Sequence, residues 1–69
     1  MKLTNDQMKE NALDAKHYVQ QSAEHINVAY WANYEYDRRF HYNKAVEKLN
    51  QALSALGLKA VEVEASDVN

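Results

Sequence analysis

With no proline and a single glycine, at position 57, the chain contains almost nothing that can interrupt an α-helix. Proline removes a backbone donor and clashes with the preceding turn, and an interior glycine costs about 1 kcal/mol against alanine. A sequence with neither before position 57 can run helical over most of its length. An apolar content of 46% argues against a disordered chain, and the absence of cysteine excludes disulfide staples. Sixty-nine residues allow one domain with a small core, and small cores are commonly completed by a metal or a partner subunit. The expected fold is all-α: an antiparallel hairpin of two main helices over residues 1–57 that self-associates into a small bundle. Residues 58–69 are expected to form a short extended or disordered tail.

The first helix has a well-marked start. Thr4 as N-cap and Gln7 three residues later form a capping box, with Leu3 and Met8 placed as a hydrophobic staple and Asp6 at the positive end of the helix dipole. A three-four alternation then runs through Met8, Ala12, Ala15, Val19, Ser22, Ile26 and Ala29, all on one helical face. Its small residues would let a second helix approach closely. A second stripe, Tyr42, Ala45, Val46, Leu49, Ala52, Leu53 and Leu56, ends at Gly57, where a C′ glycine with Leu58 packed back on Leu53 makes a Schellman motif. Ala12, Ala15, Val19, Ile26, Leu49, Leu53 and Leu56 are therefore expected in the core or the oligomer interface.

The two stripes do not share a phase: continuing the first reaches Asn43, Glu47 and Asn50, which are polar. A turn between them accounts for the shift. Asn33 is the better N-cap for the second helix, because Glu35 and Asp37 then occupy its first turn, and Asn27 is the rival. An unbroken helix from Asn5 to Leu56 would span about 78 Å and would need an oligomer to exist. After Gly57, Val61, Val63 and Ala65 alternate with Glu62 and Glu64, a pattern that suits either a short strand or a tail lying over the helices.

Several function classes are disfavoured. No stretch approaches the roughly 20 apolar residues of a bilayer span, and Met1–Glu10 has no apolar segment of signal-peptide type, so a cytoplasmic protein without membrane partners is expected. A net charge of −2 supplies no general drive toward phosphate backbones. Catalytic residues, cofactors and small-molecule substrates are not expected, since the chain has no cysteine nucleophile or Gly-rich phosphate loop. Ser22, Glu24 and His25 read as neighbours spread over different sides of a helix. Glu10, Asp14 and His17 have an acidic-x-x-His spacing on one helix, but a dinuclear site needs more facing carboxylates than the second helix offers, and no metal is expected.

The feature that calls for a function is aromatic. Six of the seven aromatic residues fall in the segment from Tyr30 to Tyr42. Tyrosine, tryptophan and arginine dominate binding hot spots because they combine large rigid area with a polar handle. Helical geometry places Phe40 and Tyr36 away from the leucine face, beside Arg39, Asn43 and Glu47, while Tyr34 and Tyr42 lean toward the core. Trp31 and Leu13 lie across from the alanine stripe. Tyr36, Arg39, Phe40, Asn43 and Trp31 are thus the candidate partner-binding residues of a homodimer or higher homo-oligomer that binds, and inhibits or adapts, a larger protein. Small regulatory inhibitors, including those of phages and other mobile elements, are chains of this type. The alternative is a small nucleic-acid-binding transcriptional regulator using Arg38, Arg39, Lys44 and Lys48, although Glu35, Asp37 and Glu47 among them favour a charge-paired surface.

Overall fold

The computed structural model describes residues 3–58 and consists of two antiparallel helices, α1 (Asn5–Trp31) and α2 (Glu35–Ala55). The expected capping box is formed: the Gln7 amide donates to Thr4 Oγ1 at 3.1 Å, and the Thr4 amide donates to Gln7 Oε1 at 2.8 Å. Two orphan amides at the start of α1 are thereby satisfied by one local exchange. The chain leaves α1 through Ala32 in extended conformation and enters α2 at Tyr34, so residues 32–34 make the turn. The N-cap of α2 is therefore Tyr34, whose side chain caps nothing, and Asn33 lies one position too early to serve. Glu35 and Asp37 do occupy the first turn of α2, where the dipole favours them.

At the far end α2 closes as a Schellman motif. Gly57 has φ +83°, its amide donates to Ser54 O at 2.9 Å, and the Leu58 amide donates to Leu53 O at 2.8 Å. A Cβ at position 57 would meet nothing within 4 Å. The cost of Gly57→Ala is then confined to holding alanine in the left-handed region, and thermal melting should show a loss of about 1 kcal/mol with no change of fold. The short-strand pattern at residues 61–65 lies outside the described residues.

The contact between the helices is made by small side chains. Ala15, Ser22 and Ala29 of α1 and Ala45 and Ala52 of α2 are buried, and no larger residue among those described is buried with them. Ser22, 1% exposed, donates its hydroxyl to the carbonyl oxygen of Ala45 at 2.9 Å. That bond is possible only because alanines at the same level let the two backbones come close.

Within the single hairpin this close approach leaves the larger residues of both stripes outside the helix–helix contact. Leu49 and Leu56 each remain 41% exposed, Ile26 is 51% exposed, Val19 and Ala12 are exposed, and Leu53 is half-buried. Of the seven residues assigned to core or interface, Ala15 alone is buried within the hairpin. Helices that meet along alanine leave no room between them for leucine or isoleucine, so the larger side chains are displaced to the flank. Tyr34, expected at the core edge, is 71% exposed because it sits in the turn, where helical spacing no longer sets direction. The Cα trace measures 45 × 22 × 10 Å, one helix thick.

Candidate functional site: the outer face of α2 and the turn

Tyr36, Arg39, Phe40 and Asn43 follow the i, i+3, i+4, i+7 spacing and share the face of α2 that points away from α1. Tyr36 is 79% exposed. Phe40 is 47% exposed, its ring edge-to-face with His41 at 5.1 Å and covered by the ammonium of Lys44 at 5.8 Å. Arg39 is held by Glu35 at 2.8 Å, and Lys44 reaches Glu47 at 3.5 Å. The arrangement is an aromatic centre bordered by oriented charges, which matches the anatomy of protein interfaces.

Trp31 is not brought into this group. It ends α1 on the side away from α2, its ring edge-to-face with Tyr30 at 4.9 Å. Tyr34, in the turn that follows, is also exposed. The candidate binding residues thus divide into a strip along α2 and Trp31 at the end of α1.

The four basic residues of the alternative reading are all engaged within the chain. Arg38 donates from Nε to Ala29 O at 3.1 Å and from Nη2 to Ala32 O, Arg39 pairs with Glu35, Lys44 covers Phe40, and Lys48 lies 6.0 Å above the Tyr18 ring. Arg38 had no sequence signal beyond its charge. Its bonds to carbonyls at the end of α1 require knowing how tightly the chain turns.

A second feature the sequence did not reveal lies inside the hairpin. His25 and His41 face each other across the two helices, Nδ1 to Nδ1 at 2.9 Å, with rings stacked at 5.1 Å. The bond needs one Nδ1–H and one free lone pair, so it fixes complementary tautomers in the two rings. Ser22 and His25, read as lying on different sides of a helix, both face α2, because residues three apart share a face. Ser22 is hydrogen-bonded to Ala45 and His25 to His41, an arrangement that links the two helices.

Glu10, Asp14 and His17 are exposed on α1, and among the described residues no group of three or more histidine, cysteine or acidic side chains is assembled that could hold a metal ion. No helix among the described residues is long and apolar enough to cross a membrane. Comparison of the chain with protein-family models, with curated proteins and with solved structures finds no match in any of the three.

Proposed function

We propose that the chain is a non-enzymatic interaction protein whose α2 outer face binds, and thereby inhibits or adapts, a larger protein. The observation that carries this reading is the pairing of Tyr36 and Phe40 on a face the hairpin does not use for its own packing. Exposed aromatics one turn apart on a rigid helix, flanked by Arg39 and Asn43, suit insertion into an apolar groove of a partner, where their area is gained at little cost in conformational entropy.

The test is retention of partners from a native extract by immobilised wild-type chain and by Phe40→Ala. Phe40 lies outside the α1–α2 contact, so helicity and melting should stay close to wild type while binding of the retained protein weakens by about 2 kcal/mol, roughly 30-fold. A mutant that keeps its structure and binds that protein normally defeats the reading. Binding to an oligonucleotide that collapses between low and moderate salt would instead favour the nucleic-acid alternative, since that signature belongs to phosphate contacts.

A further inference from the structure

From the hairpin's one-layer geometry we infer that one broad face is the interface with a second copy of this chain, giving a two-fold symmetric four-helix bundle. The residue four positions after four of the five buried contact residues is apolar: Val19 after Ala15, Ile26 after Ser22, Leu49 after Ala45 and Leu56 after Ala52; the fifth, Ala29, is followed by Asn33, which already lies in the turn. The residue immediately before each of those four is polar, Asp14, Gln21, Lys44 and Gln51, whereas exposed Val28 precedes Ala29 at the turn end. In antiparallel helices that face one another, the same sense of rotation on both leads to the same side of the pair. One broad face is therefore apolar along both helices, and the other is polar except for Val28 near the turn. Met8 and Tyr42, one heptad before Ala15 and Leu49 respectively, extend the apolar side, and Ile26 and Tyr42 do line one shallow concavity.

The occupant is argued from what this face lacks and what it offers. A stable domain packs at least two layers around a core, whereas this hairpin is 10 Å thick at the Cα trace and buries only alanine and serine. Met8, Val19, Ile26, Tyr42, Leu49 and Leu56 each leave between 41% and 53% of their surface exposed. At about 100 Å² apiece this amounts to roughly 600 Å² of side-chain surface, close to the roughly 800 Å² per partner of a stable interface once adjoining residues are included. None of the six carries a charge, and Arg38, which lines the same concavity as Ile26 and Tyr42, is already bonded to the carbonyl oxygens of Ala29 and Ala32. The outer face of α2 stays free in such a dimer, so this inference stands whether or not the proposed partner binding holds.

The full chain should sediment as a dimer at tens of micromolar, with a melting temperature that rises with protein concentration. Ile26→Glu would bury a carboxylate at the interface and should weaken dimerisation at least about 100-fold. Because that variant could also lose its fold, cross-linking gives a separate readout. The Ser22–Ala45 and His25–His41 contacts set Val19 and Leu49 at nearly the same level, midway along the hairpin. Val19→Cys and Leu49→Cys should form inter-chain disulfides readily under mild oxidation, and Gln21→Cys on the opposite face should not. A helical wild-type monomer at high micromolar concentration, an Ile26→Glu variant that remains dimeric, or faster cross-linking from Gln21→Cys would each overturn the proposal.

Discussion

Replacing Ala45 by leucine is expected to destabilise the hairpin by about 3 kcal/mol, the upper part of the range for overpacking a close contact, and to lower the melting temperature sharply, since a total stability of about 5 kcal/mol would fall to about 2 kcal/mol. Ala45 is 4% exposed, and its carbonyl oxygen accepts the Ser22 hydroxyl at 2.9 Å. A leucine side chain there must either push the helices apart, losing the bond and the contacts at Ala15, Ala29 and Ala52, or adopt a strained rotamer. Leucine ranks just below alanine in helix propensity, so the helix itself accounts for only a small part of the loss. Ser54→Leu supplies the comparison: it adds apolar bulk to the exposed outer side of the same helix and should change stability by less than about 0.5 kcal/mol. Chemical denaturation of both variants at one protein concentration decides the matter. An Ala45→Leu protein as stable as Ser54→Leu would mean that the helices do not meet along their alanines.

The same residue marks where sequence reading stopped. The capping box at Thr4 and Gln7 and the glycine cap at Gly57 were legible because each is closed by side chains and backbone a few residues apart. The two helices and the break between them were legible from the phase shift between the apolar stripes. Which part of each stripe faces the other helix was not. Hydrophobic periodicity finds the centre of an apolar arc, and here that arc does two things: its small residues meet across the hairpin, and its large ones lie on the flank. Leucine outweighs alanine on any hydropathy scale, so the arc was centred on Leu49 and Leu53, when the contact is centred on Ala45 and Ala52. Side-chain size, alternating in each helix at seven-residue spacing through Ala15, Ser22 and Ala29 and through Ala45 and Ala52, was the signal that separated the two.

The candidate site divides along the same line. Tyr36 and Phe40 were placed outward correctly because they lie inside a helix whose phase is known. Trp31 was placed with Leu13, across from the alanine stripe of the first helix, and α1 does extend as far as Trp31, so it stands apart from the α2 strip. His25 with His41, and Arg38 with Ala29 and Ala32, are contacts between helices, and their pairing depends on a register that the turn sets. A shift of one residue in that turn, which is the difference between Asn33 and Tyr34 as N-cap, would redirect every such pair.

Arg38→Glu should cost about 3 kcal/mol, and the loss should be concentrated at the turn. α1 ends without glycine: Ala32 is extended, and there is no basic residue in the last helical turn to offset the negative end of the dipole. Arg38, one turn into α2, supplies what is missing by donating to the carbonyls of Ala29 and Ala32. Hydrogen bonds from a charged donor are worth about 1.5 to 3 kcal/mol each when the acceptor is otherwise unpaired, less where solvent can replace them. Arg38 is exposed as a residue, and only the bond to Ala29 is partly buried, so Arg38→Ala should lose about 1 to 2 kcal/mol. The glutamate adds repulsion between a carboxylate and the carbonyl end of α1, which accounts for the further loss. Arg38→Lys keeps the charge but cannot reach both oxygens in one plane, and should fall between wild type and alanine. Amide hydrogen exchange gives the location: protection should drop first at residues around the turn while the amides near Ser22 and Ala45 keep theirs. If Arg38→Glu melts with the wild-type protein and exchanges no faster at the turn, the guanidinium is not the cap of α1, and the turn is held by the alanine contact alone.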